Sequence, residues 1–176
     1  ALENFYRKED LHIPSGAFLR CDIPLIETQE EYVLYTDCDV LFLKDFDYEN
    51  LSKPEYFSCS TQFKRNDFVH FNTGVMYMNI KNLGKDIDKF FEFIKNNLGV
   101  LKTFDQDAYQ IYYSGKNTKL PIKYNHKPYW GIDSNAVILH FHGGKPIDFK
   151  SDESVKNLCG IYYDLYKKNP KSYRYY

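Results

Sequence analysis

The sequence predicts an α/β domain, with a mixed and mostly parallel sheet flanked by helices. Three observations carry this. Apolar runs short enough for buried strands recur at Val33–Tyr35, Val75–Ile80 and Ala136–Phe141. Between them lie segments of helical spacing, the clearest being Ile87, Phe90, Phe91, Ile94 and Leu98. The length, 176 residues, fits one domain and is enough to bury a proper core.

In chain order, residues 1 to 24 read as a polar start followed by a short helix or loop carrying Arg20. Pro24 is expected to end it, because proline disfavours helix in the residue before it. Tyr32 to Phe46, YVLYTDCDVLFLKDF, is the organising stretch: a short strand, then Asp37 and Asp39, then a return to apolar residues. Asp45–Glu55 is turn-rich, Phe57–Phe63 is a strand candidate, and Lys64-Arg65-Asn66-Asp67 is a polar connection. Phe71-Asn72-Thr73-Gly74 leads into the strand at 75–80, and an amphipathic helix is expected over 86–98 with Gly99 as its stop. A second helix spans 104–114 and ends at Gly115, with Thr103 and Gln106 fitting a capping box. Leu120–Asn125 reads as extended, and Ala136–Phe141 as a third strand running into His142-Gly143-Gly144-Lys145-Pro146. A last helix is expected from about Ser154 to Lys168, before a basic, tyrosine-rich tail. The domain is thus placed at 1–150, with 151–176 as a C-terminal helix and tail.

Composition narrows the function. A net charge of −1 gives no argument for nucleic acid. The 17 Tyr and 14 Phe suit a sugar site and a core equally. Four scattered cysteines without a Cys-x-x-Cys pair fit a reducing, cytoplasmic setting better than a disulfide framework. No apolar run approaches the roughly 20 residues needed to span a bilayer. The tail from Tyr162 to Tyr176 interleaves Lys167, Lys168, Lys171 and Arg174 with tyrosines, a pattern suited either to a solvated last helix packing by Val155, Leu158 and Leu165 or to peripheral contact with an anionic membrane.

Four pieces carry chemistry beside the acidic pair. In extended backbone, residues two apart share a face, so Asp37 and Asp39 would aim together past the strand end, although Asp-x-Asp alone also reads as an acidic turn after a strand. Two carboxylates that close repel unless a cation lies between them, and Mg²⁺ or Mn²⁺ prefers such oxygen ligands. His140, at another strand end, offers an imidazole to the same cation. Arg20 has the fork geometry to bridge a diphosphate and an acidic group. Asn72 beside Thr73 and Gly74 can hydrogen-bond sugar hydroxyls, although Asn-x-Gly is also ordinary turn chemistry. Asp105-Gln106-Asp107 suits a helix start, and the same polar groups can face a substrate. Gly143 and Gly144 let backbone N–H groups approach phosphate, and Lys145 adds a point charge.

Taken together, YTDCDVLFLKDF, FNTGVMYMNI, FDQDAY, LPIKYN and HFHGGKP resemble, in order, the motifs of the family 8 retaining glycosyltransferases. The likeness covers most of residues 15 to 148. It implies a GT-A fold, a UDP-glucose or UDP-galactose donor, Mn²⁺ or Mg²⁺ as cofactor, and a glycan or lipid-linked acceptor. By match, Asp37, Asp39 and His140 would hold the metal, and Arg20, Asp37, Gly143 and Lys145 the diphosphate. Asn72, Thr73, Asp105 and Gln106 would hold the sugar, with Gln106 or Asp107 at the catalytic position. The family usually has one more residue between glycine and lysine, a tryptophan where Ile147 stands, and no imidazole at His142. It also carries a nucleotide-binding half-sheet before the Arg20 region, where only a short polar stretch stands here. The expectation is a C-terminal portion of a longer enzyme, or a chain whose partner covers that edge. Two other readings compete: a catalytically silent sugar-nucleotide binding module, and a phosphohydrolase of the haloacid dehalogenase type, which would need a second acidic cluster.

Overall fold

The computed structural model describes residues 12–142. They form two compact units.

The first unit comprises the described residues up to Tyr35 together with Ser52–Leu120. It opens with helix α1 (His12–Phe18), a 3₁₀ turn (Leu19–Asp22) and the single-turn helix α2 (Ile23–Ile26). Pro24 therefore does not end the helical segment; it lies in the first turn of α2. Proline fits there because the first N–H groups of a helix have no intrahelical partner to lose. A four-stranded sheet follows in the order β1 (Tyr32–Thr36), β4 (Phe71–Asn79), β3 (Phe57–Thr61), β5 (Thr118–Lys119). β3 runs antiparallel to β4 and parallel to β5, so the sheet is mixed. β1, expected to be buried, is half-buried along its whole length and forms an edge of this sheet among the described residues.

β4 is buried at all nine positions, the pattern of a strand covered on both faces. It starts at Phe71, so Asn72, Thr73 and Gly74 lie inside the strand rather than in a turn before it. Its pairing with β3 shifts register: Cys59 is opposite Met76, yet Ser60 is opposite Asn72. One step along β3 thus matches four along β4, and Thr73, Gly74 and Val75 form a bulge.

Helix α3 (Ile80–Asn97) begins six residues before the predicted start at 86. The apolar strand pattern hides the cap: the Asn79 side chain accepts from the Asn82 N–H at 3.1 Å and switches strand to helix at once. Ile80, Leu83, Ile87, Phe90 and Ile94 form its buried stripe. Helix α4 (Asp105–Tyr112) packs its Ala108 and Tyr109 into the same core. Aromatic rings fill much of this core. Phe57 meets Phe71, Tyr109 and Tyr113 at centroid distances of 5.6, 5.2 and 5.4 Å, each edge-to-face. Such pairs add about 0.5–1.5 kcal/mol apiece beyond their buried area. Part of the aromatic content is therefore core.

The second unit comprises Thr36–Leu51 and the described residues from Pro121 onward. Strand β2 (Val40–Phe42) pairs antiparallel with β6 (Ile138–His140), Val40 opposite His140. Leu120–Asn125 is not extended: pairing with β3 stops where Leu120 N–H meets Cys59 O at 3.0 Å, and a 3₁₀ turn (Ile122–Tyr124) follows Pro121. Proline has no N–H to continue a ladder. A second 3₁₀ turn covers Pro128–Trp130, and His126 bridges to Leu139. The Phe46 and Tyr124 rings, 4.8 Å apart, hold the β2 return loop against this layer. No described helix is long and apolar enough to cross a membrane. The predicted last helix and basic tail lie outside the described residues, as do Gly143 and Lys145.

Candidate functional site

In the second unit, Asp37-Cys38-Asp39 is a turn between β1 and β2, not the extended backbone expected from the sequence. The convergence of the two carboxylates comes instead from strand register. Because Val40 pairs with His140, Asp39 lies beside the same imidazole, and the Phe141 N–H donates to Asp39 O at 2.9 Å. His140 Nε2 is 3.2 Å from Asp39 Oδ1 and 4.0 Å from Asp37 Oδ2. Ligand atoms from all three residues lie within 4.8 Å of one another. His140 is buried while both aspartates keep a partly open face. Two carboxylate oxygens and one imidazole nitrogen suit a hard or borderline divalent cation such as Mg²⁺ or Mn²⁺.

On its other side His140 Nδ1 meets Asn125 Oδ1 at 2.9 Å. Asn125 is wholly buried, and sequence reasoning gave it no role. The available signal was weak: an asparagine just after a proline-initiated turn.

In the first unit the remaining described residues that the sequence proposed for a site converge. The Arg20 guanidinium is buried, with Nε 3.0 Å from Asp105 Oδ2 and one terminal nitrogen donating to Thr73 O at 2.5 Å. It also stacks over the Tyr35 ring at 4.7 Å. Thr73 Oγ1 donates to Asp105 Oδ2 at 3.1 Å. Gln106 Oε1 accepts from Asn72 Nδ2 at 3.1 Å and from Thr73 N–H at 3.2 Å, and Asn72 Oδ1 accepts from Gly74 N–H at 3.1 Å. The bulge in β4 makes this network: it takes the Thr73 N–H and carbonyl to Gln106 and Arg20.

The start of α4 differs from the predicted capping box. Thr103 is not the cap; Phe104 is, at φ 54° and ψ −121°, the only non-glycine residue with positive φ among the described residues. Such a conformation is strained and persists where surroundings over-determine it. Here it turns Asp105 and Gln106 inward onto β4. Asp107, not Gln106, reaches back: its carboxylate accepts the Thr103 N–H at 2.8 Å and the Thr103 hydroxyl. Burial, with Asp105 nearby, pushes the Cys21 thiol far above its ordinary range.

No family model matches the chain, and no curated protein matches it. Solved structures do. The apo-form glycosyltransferase GlyE of Streptococcus pneumoniae TIGR4 matches at TM-score 0.68 and 21% identity, over 88% of this chain and 46% of GlyE. The chain thus spans less than half the length of GlyE. The galactosyltransferase LgtC, solved with donor and acceptor sugar analogs, matches at TM-score 0.69 and 19% identity, over 93% of this chain and 69% of LgtC. The bifunctional glycosyltransferase WbbM matches at TM-score 0.59 and 14% identity, over 88% of this chain and 37% of WbbM. At these identities the likeness speaks for architecture. The chain has the GT-A fold of these glycosyltransferases.

Proposed function

We propose that the chain is a metal-dependent glycosyltransferase moving a glucosyl or galactosyl group from a UDP-sugar to an acceptor hydroxyl, with retention at the anomeric carbon. The observation that carries this is the Asp37–Asp39–His140 cluster, two carboxylates and an imidazole that could hold a cation, on a GT-A fold. A Mn²⁺ or Mg²⁺ bound there would neutralise the diphosphate and make it a better leaving group. In this reading Arg20, Gly143 and Lys145 add positive charge and N–H groups to the same diphosphate, while Asn72, Thr73, Asp105 and Gln106 orient the sugar.

The anomeric C–O bond to the diphosphate breaks, the acceptor oxygen forms the new bond, and its proton passes to the departing phosphate oxygen. Retention follows if the acceptor attacks on the face the leaving group vacates. Both lone pairs of Gln106 Oε1 are taken by Asn72 and Thr73, which argues against Gln106 as a nucleophile and for its amide as electrostatic support. In this reading Asp107, which accepts from the Thr103 N–H and hydroxyl, caps the helix, and the nucleophile role is not assigned to it. A glycan or lipid-linked acceptor suits the reading. The GT-A fold favours this reading over the phosphohydrolase alternative.

The test is Mn²⁺-dependent release of UDP from a panel of UDP-sugars, with and without acceptor. Release that depends on both metal and sugar supports the reading. Binding of UDP-sugar without release would make the chain a binding module.

A further inference from the structure

We propose that Asn125 is a positioning residue that fixes the tautomer and ring orientation of His140, and thereby sets the strength of the cation site. The proposal rests on the metal reading above.

The geometry is direct. Asn125 Oδ1 lies 2.9 Å from His140 Nδ1. A carboxamide oxygen can only accept, so Nδ1 must carry the proton. In a neutral imidazole the other nitrogen then presents its lone pair, and that nitrogen, Nε2, is the one 3.2 Å from Asp39 and 4.0 Å from Asp37. The opposite tautomer would point an N–H at the place where the cation belongs and leave two acceptors facing each other at Nδ1. A ligating histidine whose second nitrogen is held this way binds metal better, because orientation is settled before binding.

Asn125 is itself anchored. Its N–H donates to Ile122 O at 3.1 Å and its carbonyl accepts from Lys127 Nζ at 2.9 Å. Next to it, His126 N–H donates to Ile138 O at 2.9 Å and His140 N–H donates to His126 O at 2.8 Å. The segment that carries the carboxamide is therefore laced to the strand that carries the imidazole. The side chain is fully buried, so a contact with substrate does not explain it.

The test uses the full chain and Mn²⁺ as the probe. Long-range ¹H–¹⁵N correlation spectra of the metal-free protein at about pH 8, above the ordinary imidazole range, read each histidine's tautomer; His140→Gln assigns the signal. The expected result is a proton on Nδ1 of His140, and a proton on Nε2 overturns the proposal without any variant. Mn²⁺ titration followed by electron paramagnetic resonance gives the second readout. Asn125→Leu should weaken Mn²⁺ binding about 10- to 100-fold, and Asn125→Asp, which keeps an acceptor, should restore it. A folded Asn125→Leu protein that binds like the parent overturns the proposal alone. A parent that binds no Mn²⁺ overturns the metal reading and the proposal with it. If Asn125→Leu does not fold, the parent's tautomer decides.

Discussion

Arg20 and Asp105 form an ion pair at 3.0 Å in which both side chains are almost excluded from water. Removing one partner of such a pair strands the other charge, at a cost of about 3–5 kcal/mol. Asp105→Asn should therefore lower stability by about 3 kcal/mol in urea unfolding, and adding Arg20→Met should recover part of it. A single substitution with no effect on the unfolding midpoint would mean the pair is not formed in solution.

Asp39→Asn should reduce Mn²⁺ affinity by at least about tenfold while leaving the fold intact, because one ligand charge goes and the packing stays. Calorimetric titration checks it. An unchanged isotherm would remove Asp39 from the cation site.

Gln106 separates structure from turnover. Gln106→Glu keeps an acceptor for Asn72 and Thr73, so unfolding should hardly move, whereas UDP-sugar turnover should fall. Gln106→Leu leaves the buried Thr73 N–H unmatched, at about 1–3 kcal/mol. Equal turnover in the Glu variant and the parent would confine Gln106 to holding β4.

The cysteines should differ sharply in reactivity. Cys38 is exposed, while Cys21 and Cys59 are buried. Burial keeps Cys21 protonated at any ordinary pH. Peptide mapping after iodoacetamide treatment should show Cys38 modified in the native protein, and Cys21 and Cys59 only in urea. Early modification of Cys21 would mean that α1 and the turn after it open readily.

Alkaline pH should destabilise the second unit. Burial raises the Tyr129 hydroxyl to about 12 from an ordinary value near 10. The folded state holds this proton more tightly than the unfolded one. The stabilising contribution is complete below the ordinary value and is lost as pH rises through that window. Absorbance at about 295 nm, compared between the parent and Tyr129→Phe, should show one late-titrating phenol fewer in the variant. An unchanged late phase would place Tyr129 among the ordinary tyrosines.

The grouping of Asp37, Asp39 and His140 was legible because its chemistry is concentrated: two carboxylates one residue apart, and one histidine at a strand end. The reason given for it was only partly right. Asp37 and Asp39 converge through the Val40–His140 register, and no local pattern reveals which strands will pair. Ile87 to Leu98 showed its helix clearly, but the true start was hidden because Asn79 and Ile80 also extend a strand pattern. Gln106 matched a capping box by spacing, yet the unusual backbone at Phe104 handed that job to Asp107. A left-handed phenylalanine has no sequence signal. Asn125 went unassigned because its partner is fifteen residues away in sequence and only the fold joins them.

The three-residue bulge of β4 has a wider consequence. Most sheets choose their alignment by which apolar side chains face the core, and a strand buried on both faces gives that choice little to work with. Here Arg20, from the 3₁₀ turn before α2, and Gln106, from the start of α4, grip the two backbone groups of one residue, the carbonyl and the N–H of Thr73. They act as a ratchet pawl: β4 cannot slide along β3 without releasing both. The polar groups proposed to meet a sugar thus also index the strand, so length changes between Asn72 and Met76 should be tolerated far less well than their buried, glycine-containing sequence suggests.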